Sequence, residues 1–99
     1  MKFKIELHPL AERELTDTFE WYEKRSAGLG VRFVNTVNNR FNQLKEHPER
    51  YPIKKKNYRE VRTEIFPYLI VYEIFKDRQV VFVSYIFHAK RNPKLKYKR

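Results

Sequence analysis

The 99 residues are enough for one domain with one modest core and leave no room for a second domain. With no cysteine, the chain has no disulfide framework, no thiolate nucleophile and no cysteine-based metal site. Its 22 Lys and Arg outnumber its 12 Asp and Glu, and the surplus is lopsided: residues 1–50 carry 9 basic and 8 acidic side chains, residues 51–99 carry 13 and 4. A cationic half is a field with a direction, and it suits nucleic acid, a nucleic-acid machine or an acidic protein. The plainer alternative is that the charge keeps an aromatic-rich chain soluble. No apolar run approaches the roughly 20 residues of a membrane span, and the N-terminus lacks the pattern of a signal peptide. The expectation is a single domain over residues 1–99, cytoplasmic, with no membrane partner.

Met1 to His8 alternates, with Phe3, Ile5 and Leu7 on one face and Lys2, Lys4, Glu6 and His8 on the other, as a half-buried edge strand does. Pro9 opens a helix, Glu12 and Glu14 sit near its positive end, and Lys24 and Arg25 near its negative end. Ala11, Leu15, Thr18, Phe19 and Tyr22 form its apolar stripe, with Trp21 on the flank and expected to pack against the next helix. Gly28-Leu29-Gly30 holds the only two glycines, at a reversal that needs positive φ. A second, antiparallel helix is predicted from about Val31 to Glu46, with Phe33, Val37, Phe41 and Leu44 inward. Its other face carries Asn35, Asn38, Asn39 and Asn42, poor helix formers without charge. Pro48 and Pro52 end the helix and lead through Lys54-Lys55-Lys56.

From Arg59 to Arg91 the chain is dominated by β-branched and aromatic residues. Three strands are predicted, about Tyr58 to Ile65, Tyr68 to Phe75 and Val80 to His88; the last two are apolar on both parities and belong in the middle of a sheet. Lys76-Asp77-Arg78-Gln79 reads as a type I turn joining them. Lys90 to Arg99 adds six basic residues and no acid, a tail that is either a short helix or ordered only on binding. The predicted fold class is α+β, β-α-α-β-β-β, a four-stranded antiparallel sheet in the order 1-4-3-2, with the helical hairpin on one face and the other face open.

Metal catalysis is disfavoured, because neither the acids nor His8, His47 and His88 form a ligand motif, and no cofactor is implied. Metal-free RNA cleavage needs only positioned groups. His88 is the candidate proton-transfer group, Arg62 with Arg59 and Arg91 the phosphate-stabilising charge, and Tyr85 a hydroxyl or stacking ring. Each has a plain structural alternative: His88 capping the strand end, Arg62 paired with Glu60 or Glu64, Tyr85 in the core. For binding a nucleic acid or other target, the candidates are Lys54, Lys55, Lys56, Arg59, Arg62, Lys90 and Arg91.

Several short motifs occur in order along nearly the whole chain. They are W-Y-E at Trp21 to Glu23, G-L-G at Gly28 to Gly30 with Arg32-Phe33, H-P-E-R-Y at His47 to Tyr51, Arg62, F-P-Y at Phe66 to Tyr68, Tyr72, and F-H-A-K-R-N-P from Phe87 to Pro93. Together they resemble the RelE/ParE superfamily of toxins from type II toxin-antitoxin systems. The resemblance implies a cognate antitoxin with an acidic amphipathic segment, and operator DNA bound indirectly, through the antitoxin complex. It implies one of two targets, DNA gyrase for ParE-like members or mRNA in the ribosomal A site for RelE-like ones. The helical hairpin with W-Y-E and G-L-G looks more like the ParE branch, while His88 and Arg91 match positions found in both. A toxin fold that has lost activity and only binds its antitoxin is the third possibility.

Overall fold

In a computed structural model, which describes residues 2–91 and 97–99, the elements follow the predicted composition closely. Strand β1 is Lys4–Leu7, helix α1 Pro9–Arg25, helix α2 Leu29–Glu46, and strands β2 to β5 are Ile53–Lys55, Tyr58–Arg62, Tyr68–Phe75 and Val80–His88. The sheet has five strands in the order β1-β5-β4-β3-β2. Both apolar strands, β4 and β5, lie in the interior and β1 at an edge, as their composition requires.

Two expectations need correction, and they share one cause. The sheet is mixed: β1 pairs in parallel with β5, Lys4 opposite Val80 through Leu7 opposite Val83. The strand count is five, because Ile53–Lys55 forms a short strand antiparallel to β3. Each hairpin reverses the chain, so the additional β2 to β3 reversal turns β5 to run with β1. Ile53-Lys54-Lys55 is exposed along its length and lysine-rich, the kind of short charged edge that discourages further pairing.

Smaller differences are local. Strand β3 ends at Arg62, where Thr63 turns its hydroxyl to the carbonyls of Phe66 and Tyr68, at 2.8 and 3.3 Å. Lys76–Arg78 forms a 3-10 turn closed by Gln79 in the left-handed region, φ 53°. Trp21 does not pack on α2: it is exposed, with the Arg25 guanidinium stacked 3.3 Å from its ring centroid. Of the tail, residues 92–96 lie outside the described residues, and Tyr97 to Arg99 are not helical.

The helical hairpin is fixed by its two glycines in different ways. Gly28 supplies the positive φ of 88° at the reversal. Gly30 is helical and buried, and a Cβ there would stand 2.4 Å from the Phe19 carbonyl oxygen, so its lack of a side chain sets how closely α1 and α2 approach. Glu23 of α1 caps the start of α2, accepting from the N–H groups of Gly28, Gly30 and Val31 at 3.2, 2.8 and 3.2 Å. Those donors hold its carboxyl below the ordinary range, the Gly28 N–H most of all.

The main core lies between the hairpin and the sheet, built from Phe33, Val37, Phe41 and Leu44 of α2 with Ile70, Tyr72, Val81, Val83 and Ile86. The buried Tyr72 hydroxyl donates to the Pro48 carbonyl at 2.7 Å. Strand β5 carries a bulge: Val71 pairs with Tyr85 but Tyr72 with Val83, which leaves Ser84 unmatched. The parity of the strand therefore switches. Val81 and Val83 face the helices before the bulge and Ile86 after it, while Tyr85 and Phe87 join Tyr58 and Val71 in a second cluster on the opposite face.

Candidate functional site

That second face is built in rows across the strands. Glu60, Val71 and Tyr85 form one row and Arg62, Leu69 and Phe87 the next. It is not bare, because the chain's own last described residues lie on it. Tyr97 stacks its ring 5.3 Å from that of Tyr58 and donates its hydroxyl to Glu60. Burial, then the Glu60 carboxylate, push that hydroxyl's pKa up to about 12. Lys98 donates its backbone N–H to the Tyr85 hydroxyl at 3.1 Å, and the Tyr58 hydroxyl donates to the Arg99 carbonyl. The Arg99 guanidinium lies 4.0 Å from the centroid of the Tyr85 ring.

Glu14 of α1 joins this layer to the sheet. Strand β1 covers β5 only as far as Val83, so the edge beyond it lacks a neighbouring strand. Side chains replace the missing strand: Glu14 accepts from the Ile86 N–H at 3.0 Å, and Arg99 donates to the Ser84 carbonyl at 2.8 Å. The same carboxylate takes a bidentate pair from Arg99, at 2.8 and 3.1 Å, and a third contact from Arg91 at 2.9 Å. One carboxylate thus draws two arginines and a strand edge together.

The sequence-derived residues fall in three places. Tyr85 and Arg62 share the tail-covered face by strand parity, Tyr85 beneath Arg99 and Arg62 exposed in the next row. His88 is on the helix side, three residues past Tyr85 and so of opposite parity. It lines a groove of about 280 Å³ with Glu14, Asp17, Thr18, Tyr68 and Arg91. Its ring meets Tyr68 edge-on at 5.3 Å and its Nδ1 accepts the Lys90 N–H at 3.1 Å, so it does cap the strand end. Arg91 lines this groove, and Lys90 projects into solvent beside it.

Arg59 stands apart from these. It donates to the carbonyls of Tyr51 and Glu49, at 2.5 and 3.4 Å, tying β3 to the turn after α2. It also lines a second groove of about 470 Å³ at the other end of the sheet, with Ile53, Phe75, Lys76 and Arg78. Lys54, Lys55 and Lys56 are exposed on β2 and its turn, and Lys56 reaches the Tyr97 carbonyl at 3.3 Å. The structure gathers Arg62, Tyr85 and Lys56 around one face, places His88 and Arg91 in the groove by α1, and sends Arg59 elsewhere. Among the described residues no group of three His, Asp or Glu side chains is placed to hold a metal ion, and no helix is long and apolar enough to cross a membrane.

Sequence reading missed Glu14 as an organising residue. The available signal was its position on the margin of the α1 stripe, three residues after Ala11 and four before Thr18, where a carboxylate reaches the sheet.

A helical hairpin on one face of a mixed sheet, with basic residues just past the last strand, is the arrangement of a class of small toxins. The fold matches the chromosomal ParDE toxin-antitoxin system of Pseudomonas aeruginosa with a TM-score of 0.76 at 11% identity, over 90% of this chain and 98% of that one. It matches a free-state mutant of the Escherichia coli toxin RelE with a TM-score of 0.70 at 17% identity, over 91% and 86%. Toxin RelE3 of Caulobacter vibrioides is 28% identical over 79 residues, 78% of this chain and 86% of that protein. The chain belongs to the family of ParE toxins of type II toxin-antitoxin systems, whose family model matches residues 5–93.

Proposed function

We propose that this chain is a ParE-like toxin that inhibits DNA gyrase by binding, without nuclease chemistry, and that a cognate antitoxin neutralises it. The observation that carries this reading is the separation of the nuclease candidates: His88 and Tyr85 lie on opposite faces of the sheet, and the Tyr85 hydroxyl and ring are engaged by Lys98 and Arg99. A ribonuclease needs its proton-transfer group and its phosphate-stabilising charge converging on one scissile bond. A binder needs only an exposed complementary surface. Lys54 to Lys56, Arg62 and Lys90 offer that surface, and Arg91 extends it at the groove. The antitoxin, through an acidic amphipathic segment, screens the same charges and supplies most operator DNA contacts.

The test is supercoiling of relaxed plasmid by purified gyrase. Loss of supercoiling at toxin concentrations that arrest growth is expected; full supercoiling at those concentrations rejects the reading. The name of the Caulobacter relative, Toxin RelE3, favours a second reading, a ribosome-dependent mRNA endoribonuclease using His88, Arg62 and Tyr85. Primer extension on cellular mRNA after induction separates the two: codon-phased cleavage with normal supercoiling supports the nuclease, intact mRNA with relaxed plasmid the gyrase inhibitor.

A further inference from the structure

The outer face of the sheet holds Tyr97 to Arg99 as a receptor holds a peptide, gripping main chain and side chains with groups from separate parts of the fold. Along the main chain, Lys56 donates to the Tyr97 carbonyl, the Tyr58 hydroxyl donates to the Arg99 carbonyl, and the Tyr85 hydroxyl accepts the Lys98 N–H. Two of the three side chains are also read. The Tyr97 ring stacks on Tyr58 and its hydroxyl donates to Glu60. The Arg99 guanidinium sits in a cage made of both Glu14 oxygens, the Ser84 carbonyl and the Tyr85 ring. The Lys98 side chain is exposed. The pattern recognised is therefore Tyr-x-Arg.

The charge of the face suits such a ligand. Residues 51–99 contain only four acids, and two of them are here: Glu60 opposite Val71, and Glu73 two residues beyond Val71 in β4. With Glu14 they make an anionic site on a chain of net charge +10, which favours cations and disfavours phosphate.

The resident segment leaves the site incomplete. Glu73 takes no hydrogen bond or ion pair among the described residues, and burial pushes its carboxyl above the ordinary 4.5. Ser84, whose carbonyl accepts from Arg99, is fully buried, yet its hydroxyl has no hydrogen-bond partner among the described residues. Buried polar groups ordinarily have one. Arg59 lies opposite Tyr72, so Tyr58 stands level with Glu73. A ligand running on past its arginine, whose carbonyl Tyr58 holds, thus brings its next side chain toward an unpaired carboxylate. A lysine or arginine at that position answers it.

We infer that this face is a peptide-binding site for a partner segment of the form Tyr-x-Arg followed by Lys or Arg, and that Tyr97 to Arg99 occupy it in cis. Tethering gives the resident segment an effective concentration of about 1 mM, so a partner binds by competing with it. The inference does not depend on which target the toxin acts upon.

The test titrates a fluorescent, amidated G-Y-K-R-K-G peptide into the full chain, as wild type and with the resident side chains removed by Tyr97→Ser and Arg99→Ser. Anisotropy is expected to show the opened chain binding at least about tenfold more tightly than wild type, and the rearranged peptide G-R-K-K-Y-G at least about tenfold more weakly. Alanine in place of the lysine after arginine is expected to weaken binding about threefold or more, and Glu73→Gln in the opened chain to abolish that difference. Should the double variant lose its native circular dichroism spectrum, Tyr97→Ser alone serves as the opened chain, with the same outcomes. Four results would overturn the inference: equal affinity for wild type and opened chain, equal affinity for the rearranged peptide, no binding to the folded opened chain up to about 1 mM, or tighter binding of an oligouridylate of similar length than of the peptide. An alanine peptide that binds as well as the lysine one removes Glu73 from the site.

Discussion

Replacing Glu14 by Gln removes one charge while keeping nearly the same shape, and its cost follows from the contacts of that carboxylate. One oxygen accepts from the Ile86 N–H at 3.0 Å and Arg99 at 2.8 Å, the other from Arg99 at 3.1 Å and Arg91 at 2.9 Å. The glutamine oxygen retains the Ile86 bond. The Arg99 pair is largely shielded, with side-chain exposures of 14% and 17%, so its charge-assisted bonds are worth about 1.5–3 kcal/mol. Arg91 is 39% exposed, and solvent screening limits its pair to at most about 1 kcal/mol. The expected loss is therefore about 2–3 kcal/mol, or about 8–24 °C in melting temperature for a domain of this size. Urea unfolding of the wild type, Glu14→Gln, Arg99→Met and the double variant forms a cycle in which the two single changes couple by about 1–2 kcal/mol. A loss under about 0.5 kcal/mol for Glu14→Gln, or additivity in the cycle, refutes the claim that this carboxylate fastens the terminal residues to the sheet.

The glycine pair separates close approach from backbone conformation. Gly30→Ala gains about 1 kcal/mol of helix propensity but meets the Phe19 carbonyl, and a net loss of about 2 kcal/mol is expected on denaturation; a stabilised variant would refute the close-packing account. Gly28→Ala meets no neighbouring atom and should lose about 1 kcal/mol through its positive φ alone. Tyr72→Phe leaves the Pro48 carbonyl without its donor and should cost about 1–3 kcal/mol, read by thermal unfolding; no change would mean that the bond contributes nothing. Glu23 has a folded pKa below its ordinary value of 4.5, so its contribution is present above that value and lost as pH falls through the folded one. Acid titration of Glu23→Gln should therefore give a shallower loss of stability than wild type below about pH 4.5, and superimposable slopes would contradict the cap.

The β4-β5 pair was legible because both strands are buried on both faces, which leaves a dense β-branched and aromatic composition. The helical hairpin was legible through its stripe and its glycines. What escaped was the shortest element: a three-residue edge strand makes hydrogen bonds through its backbone and buries no side chain, so its composition resembles a loop. Missing it reversed the inferred sense of β5 against β1, although the neighbour order was right. Site geometry was less legible. Whether Tyr85 and His88 share a face depends on strand parity, and whether Tyr85 is open depends on Tyr97 to Arg99, whose place on the sheet rests on Glu14, more than eighty positions earlier in the chain. Aromatic residues on both sides of a strand do not announce which will be covered.

The unmatched Ser84 acts as a phase shift in β5. Upstream of it the strand is in step with the valines of the main core, and downstream its frame is advanced by one. Removing Ser84 would set Val83 and Tyr85 side by side opposite Tyr72 and Val71, giving an unbroken ladder in which Tyr85 and Phe87 keep the tail side and Ile86 and His88 the helix side. The final third of the strand is thus an independently addressable unit. Substitutions can reshape the surface around Tyr85 without retuning the packing of Val81 and Val83, and the single extra residue between them bends the strand without changing which face either side presents.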